Sequence, residues 1–480
     1  MPSHVMPSTD TSTQVQSHMT SNVEAAEIEQ PVSVLSNPCV DTTTSTAHKK
    51  QVTEAEDEQQ RFPDVVVSPQ RTEDQSPYAV WRRLGSPRFI ASPMVDQSEL
   101  AFRILTRRYG VQLAYTPMLH ARVFVNDATY RRKFFFSQLI QVANGEQGRP
   151  KKNIDRPLIV QFAGNDADTL IAAARQVSGY VDAVDLNLGC PERIAKKGHY
   201  GSFLLDEPER VVSIVGKMCK ALQPLNLPVF CKIRIMLTGH HIPEHRRGLP
   251  GTISFCRQLQ AVGCAALCVH GRHRANKGPK TIGADWAAIA AIKKAVSIPV
   301  IANGGVETSD DVVRCLRETG CDAVMSAEAL LGNPTLFSSL QDLYRPETNT
   351  EPSVVPPHSL ARSLDNPTPL QLSLQYIKLC EQYPPPDFFK SVKLHLFRLL
   401  HAILHQEVGT KLSNAIQAAR TVADCRQSIE KAVADGLDTT APFVNLIPQS
   451  ETLTQAQREV AWRRLQITSW YRRHRRVRIV

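Results

Sequence analysis

From position 88 onward, short apolar runs alternate with longer segments in which apolar positions recur every three to four residues. The first pattern is that of a strand buried on both faces, the second that of a helix lying against a sheet. Eight runs occur, at 88–94, 111–117, 158–163, 183–188, 229–235, 266–270, 300–303 and 323–327. The segments between them predict helices over 98–109, 167–178, 208–221, 252–262, 286–296 and 308–319. Asp166 and Asp168 stand where one helix begins, and Thr308-Ser309-Asp310-Asp311 opens another, as capping residues do. Eight βα units in about 260 residues have the dimensions of a closed (β/α)8 TIM barrel. An open doubly wound sheet is disfavoured, because no G-x-G-x-x-G follows the first run.

A proline-rich polar gap over 345–369 reads as a linker, and helical periodicity returns at 370–381, 388–405 and 412–433. A small C-terminal all-helical domain is therefore expected. It carries Lys390, Lys393, His395, Arg398, His401 and His405 at spacings that place several of them on one basic face. The first 75 or so residues are rich in Ser, Thr, Gln and Pro without apolar periodicity and read as disordered. The expected organisation is an N-terminal tail 1–77, a barrel 78–345, a linker 346–365, a helical domain 366–440 and a C-terminal tail 441–480.

Composition narrows the class. With 42% hydrophobic and 21% charged residues, the 480-residue chain is neither wholly disordered nor collagen-like. No apolar run reaches the roughly 18 residues that a membrane helix needs, and no secretory leader is recognisable at the N-terminus. The 11 cysteines contain no CxxC pair, so neither a disulfide framework nor a zinc ribbon is expected. An intracellular location, cytoplasmic or nuclear, and a monomeric state are the corresponding expectations.

Charge is unevenly distributed. The total is +10, yet residues 1–60 hold nine acidic groups against Lys49 and Lys50, while 458–480 hold eight arginines against Glu459. A basic stripe of that kind suits a polyanion, since each phosphate contact releases counterions. A solvated or nuclear-targeting tail is the plainer alternative.

In a barrel of this type the chemistry stands at the C-terminal strand ends. There the chain places Gln161, Asn187, Cys190, Lys232, Arg234, His270, Arg272 and Asn303-Gly304-Gly305, followed by Ala327 and Glu328. No cluster has metal-ligand spacing, so no metal is expected. The Gly-rich turn after the seventh run lies where such barrels bind phosphate. Joined to a lysine on the fifth run and a glutamine on the third, it points to a planar phosphorylated cofactor across the mouth, as FMN is.

Several blocks resemble the tRNA-dihydrouridine synthase family: Ser92-Pro93-Met94-Val95-Asp96, Asp185-Leu186-Asn187-Leu188-Gly189-Cys190-Pro191, Ala195-Lys196-Lys197-Gly198-His199-Tyr200-Gly201-Ser202 and Val269-His270-Gly271-Arg272. The stretch Leu113-Ala114-Tyr115-Thr116-Pro117-Met118-Leu119-His120 is similar to the eukaryotic branch that acts on uridines 16 and 17 of the tRNA D-loop. The resemblance runs from about residue 87 to 337 and resumes near 391–401.

The resemblance implies reduction of the uracil C5=C6 bond by FMN, recharged by NADPH or NADH, with tRNA as substrate. It makes Cys190 the proton donor to C5; an ordinary thiol, pKa about 8.5, is protonated at neutral pH. It implies Lys232 and His270 beside the cofactor, Gln161 on the ring edge and backbone at Pro93, Met94 and Val95 along the ring. Asn303, Gly304, Gly305, Ala327 and Glu328 would hold the phosphate end. Asn187 would orient uracil, with Arg234 and Arg272 toward substrate or RNA phosphate. A small-molecule ene- or dihydroorotate-type reductase and a non-catalytic tRNA-binding protein are the alternatives. The basic excess and helical domain speak against the first. Retention of Cys190, Lys232 and His270 together speaks against the second.

Overall fold

A computed structural model describes residues 76–139, 154–238, 247–276, 283–341, 367–404 and 409–437. The proposed linker 346–365, the basic run 458–480, His405 and nearly all of the N-terminal tail lie outside the described residues.

Eight parallel strands close on themselves: β1 (Phe89–Ala91), β2 (Leu113–Tyr115), β3 (Leu158–Ala163), β4 (Ala183–Leu188), β5 (Val229–Arg234), β6 (Ala266–His270), β7 (Val300–Asn303) and β8 (Ala323–Ser326). Neighbours in sequence are neighbours in space, and β1 pairs both with β2 and with β8, Ile90 lying opposite Leu113 on one side and Met325 on the other. A two-residue extension, Leu119–His120, adds to the outer end of β3. The apolar runs are trimmed where the ladder stops. Pro93 has no N–H to give, so β1 ends at Ala91.

Side-chain alternation divides the barrel into two cores. Ile90, Leu113, Tyr115, Ile159, Ala183, Phe230, Ala266, Cys268, Ile301, Ala323 and Met325 point inward, and Trp81 and Leu84 from the short helix Ala79–Arg83 join them. The other parity faces the surrounding helices. Counting in twos from the inward set, Gln161, Asp185, Asn187, Lys232, Arg234, His270 and Asn303 also face inward, one or two layers nearer the C-terminal end. The polar mouth is thus the upper continuation of an apolar plug.

The helices Leu100–Arg108, Ala167–Val177, Pro208–Leu222, Gly248–Ala261, Trp286–Ala295 and Ser309–Thr319 surround the barrel. Asp166 accepts from the Thr169 N–H, and Thr308 forms a capping box with Asp311, each cap contributing about 1 kcal/mol. Asp168 lies inside its helix, in the first turn.

The helices after residue 367 pack on the barrel's first outer helix and share its apolar core: Leu372, Tyr376, Leu396 and Leu399 belong to the same cluster as Phe102 and Leu105. Two expectations need correction here. The segment 412–433 is two helices, Thr410–Ala418 and Val422–Ala434, because Thr421 leaves the helix to cap the second. The basic face at 390–401 is not one face. His395 and His401 are buried, since they sit on the apolar stripe with Val392, Leu396 and Leu399; Arg398 turns toward Glu328, and Lys390 is exposed.

Candidate active site

The strand parity that fills the barrel also assembles its mouth. On β3 and β4, the Gln161 amide donates to Asp185 Oδ2 at 2.8 Å and its carbonyl accepts from Asn187 Nδ2 at 2.8 Å. All three are buried. Asp185 Oδ1 has no hydrogen-bond partner, and burial pushes the carboxyl up to about 7 against the pull of Gln161 and Lys232.

Asn187 has a second task. Its Oδ1 accepts from the N–H groups of Gly189 and Cys190 at 3.1 and 3.0 Å, which folds the turn carrying Cys190. Three more contacts fix that turn: Arg234 Nε donates to Gly189 O at 2.7 Å, and both the N–H and the hydroxyl of Ser202 donate to Cys190 O at 3.0 and 2.8 Å. Gly201 makes this approach possible, with φ +65° and no room for a Cβ, which would stand 2.8 Å from Cys190 O. Half-buried, Cys190 packs with Met118, Tyr200 and Phe203, and His120 meets the Tyr200 ring edge-on at 5.3 Å.

Across the mouth, Lys232 Nζ donates to Asn303 Oδ1 at 2.8 Å. Burial lowers the Lys232 pKa, and nearby Arg234 lowers it further. His270 lies between the two, and burial with Arg234, Lys232 and Arg272 around it holds the imidazole well below its usual value, hence neutral. Arg272 Nη1 is 3.2 Å from His270 Nε2. Arg234 is pushed down to about 10, first by burial and then by Arg272.

The Gly304–Gly305 turn has φ of +98° and +78°. A Cβ on Gly304 would lie 2.8 Å from the His270 ring, and the Trp286 indole N–H holds the turn by donating to Gly304 O at 2.9 Å. The missing side chains are thus what lets the His270 ring and the Trp286 indole pack against the turn. Two strands further round, Pro93, Met94 and Val95 form the loop after β1, with Val95 exposed. Ala327 and Glu328 follow β8, but the Glu328 carboxylate faces Arg398 at 3.9 Å. Only its backbone is suited to a phosphate, because its own charge would repel one.

The residues expected from the sequence thus converge on one mouth, Arg234 serving the Cys190 turn directly. Asp185, Ser202, Tyr200, His120 and Trp286 were not singled out as site residues. Asp185 was legible in principle, being two positions before Asn187 on the same strand and hence on the same face. Among the described residues no group of His, Cys, Asp or Glu could hold a metal ion.

The family model described as dihydrouridine synthase matches residues 89–434. Over 356 residues the chain is 39% identical to a tRNA-dihydrouridine(16/17) synthase-like protein of Mus musculus, whose name carries NAD(P)(+), covering 74% of this chain and 64% of that one. It is 36% identical over 355 residues to the tRNA-dihydrouridine(16/17) synthase of Saccharomyces cerevisiae, covering 73% and 74%. With the human tRNA-dihydrouridine(20a/20b) synthase-like protein the identity is 37% over 253 residues, 53% of this chain and 71% of that one.

Proposed function

The chain belongs to the dihydrouridine synthase family, and on that premise we propose that it reduces the C5=C6 bond of uridines 16 and 17 in the tRNA D-loop, using FMN with NADPH or NADH as reductant. The substrate position is supported by the names of the relatives that match the greater part of the chain. The observation that carries the chemistry is the Cys190 turn, which presents a thiol at the lip of a buried ring formed by Gln161, Asn187, Lys232, His270 and Asn303.

The residues fit FMN. Lys232 supplies a buried cation, the Gln161–Asp185 pair supplies amide and carboxyl groups for a heterocycle edge, and the Gly304–Gly305 turn seats the His270 ring beside them. Bound there, FMN would supply a hydride to uracil C6.

This chain's residues do the rest. Negative charge that develops on uracil C4=O must be resolved by a proton at C5, and the Cys190 thiol is the acid presented at the mouth. Asn187 and Ser202 hold its backbone, so the sulfur is positioned by a turn anchored on β4. Lys232 stabilises negative charge on the cofactor edge. A neutral His270 can share a hydrogen bond without adding a third cation beside Arg234 and Arg272.

The test is spectral and chemical. Purified protein should be yellow with bound FMN and, given NADPH and unmodified tRNA, should form dihydrouridine at 16 and 17. A colourless protein that still binds tRNA would overturn the reading.

A further inference from the structure

Two stretches far apart in the chain leave α-helical spacing in the same way. Arg132–Phe136 and Phe388–Lys393 are both π-helical, a form that occurs mostly as single turns and often at functional sites. The second is tied to the loop after β1, and Gln138, two residues past the first, accepts from the Leu100 N–H at 3.0 Å and donates to Pro384 O at 3.3 Å. Lys390 Nζ lies 3.9 Å from Asp96 Oδ2, and the Ser391 hydroxyl donates to Asp96 O at 2.9 Å. Asp96 has φ +59°, a left-handed conformation for a residue with a side chain, so this contact secures an unfavourable backbone. Burial raises its carboxyl pKa, while Lys390 and, more weakly, Lys133 act in the other direction.

Each turn sets a lysine on a phenylalanine. Lys133 Nζ is 5.2 Å from the Phe134 ring centre, and Lys393 Nζ is 4.8 Å from that of Phe389. Phe388 meets Phe389 nearly edge to face at 5.2 Å. Lys393 is itself tied to Gln417 O at 2.6 Å, so it fixes the Phe389 ring from one side. Phe389 is nonetheless 60% exposed, and Val95 on the loop between the turns is 56% exposed. Phe389 thus has Lys393 over its ring and Phe388 beside it, on a turn tied to the loop after β1, while the rest of the ring faces water.

We propose that these two π-turns form a stacking platform for one unpaired base of the RNA beside the target uridine, with Phe389 as the stacking face and Lys390 and Lys133 as contacts to the flanking phosphates. The charge favours RNA over an apolar protein partner, because exposed lysines flank the ring. Asp96 and Asp387 offset part of that charge, so stacking and phosphate contacts act together. An unpaired base is required, since a duplex hides its base faces. The proposal rests on the tRNA reading above.

The experiment measures affinity for unmodified tRNA and for a blunt RNA duplex, over a range of salt, with the holoenzyme and its Phe389→Ala, Phe389→Trp, Phe389→Leu and Lys390→Ala variants. Flavin content and NADPH oxidation verify folding. Phe389→Ala should weaken tRNA binding about tenfold and leave duplex binding and the salt slope unchanged, while Phe389→Trp restores affinity. Lys390→Ala should reduce the salt slope by about one. Wild-type affinity in Phe389→Ala, an equal loss on duplex, or full rescue by Phe389→Leu would overturn the platform. A wild-type enzyme that forms no dihydrouridine but shows the Phe389 effect would overturn the proposed reaction and leave the platform standing.

Discussion

Lys232 on β5 and Asn303 on β7 are joined at 2.8 Å across the strand between them, and the other end of the Asn303 amide donates to the Met325 carbonyl on β8 at 2.9 Å. One side chain thus ties a buried ammonium to the far wall of the barrel. Asn303→Ala would leave that ammonium buried without its acceptor, at a cost of about 1.5–3 kcal/mol. The expected result is a lower thermal midpoint and weaker FMN retention by fluorescence titration. Unchanged FMN affinity would show that Lys232 is positioned by something else.

Cys190→Ala should keep FMN and its reduction by NADPH while uridine reduction falls by about 10²–10⁴, the usual worth of a general acid. Single-turnover measurements separate the two half-reactions. Full uridine turnover in the variant would refute the proton-donor role.

Asp185 makes stability depend on pH in an unusual direction. Burial raises its carboxyl in the fold to about 7, against 3.8 for an unperturbed aspartate. Between those values the unfolded chain has lost a proton that the folded chain keeps, so raising the pH favours unfolding. The contribution is fully present below pH 3.8 and is lost as the pH passes 7, on the order of 4 kcal/mol in total. Urea unfolding of the apoprotein at pH 4.5 and 7.5 should show a smaller decline in Asp185→Asn than in the wild type. An identical decline would count against a protonated Asp185.

Gly304→Ala combines a positive φ with a Cβ 2.8 Å from the His270 ring. Strain of about 1–3 kcal/mol is expected, together with displacement of the imidazole. The purified variant should contain little flavin. A flavin content equal to that of wild type would mean that the seating of His270 on this turn does not shape the FMN site.

Glu99 is fully buried between Tyr376, whose hydroxyl donates to Oε1 at 2.7 Å, and His395, whose Nε2 is 3.2 Å from Oε2. The His395 ring also stacks on Phe102 at 4.3 Å. His395→Ala would strand a buried carboxylate and should cost about 3–5 kcal/mol, with a smaller loss for Glu99→Gln/His395→Ala. Chemical denaturation measures both. Equal losses would point to packing as the whole effect.

Much of this architecture was legible because parallel strands buried on both faces announce themselves as unbroken apolar runs, as 266–269 does. The mouth was legible where a polar residue interrupts such a run, as Gln161 and Lys232 do. Asp185 and Ser202 were harder to see, since their roles come from partners brought by other strands and loops. The π-turns were hidden for a different reason: over five or six residues their apolar spacing passes for an ordinary helix. His395 illustrates the converse error. Its charge type suggested a surface, while its place four residues from Ser391 and Leu399 put it inside.

The apolar core that runs without a break from the barrel helix Leu100–Arg108 into the helices after residue 367 has an evolutionary reading. Under the proposed function, the helices that would meet RNA share their interior with the barrel and are not a separate module. A descendant that reached a different uridine would have to arrive there by re-angling helices within a common interior, or by substitutions on the rim. Specificity in such a lineage would drift gradually and leave the Cys190 turn untouched.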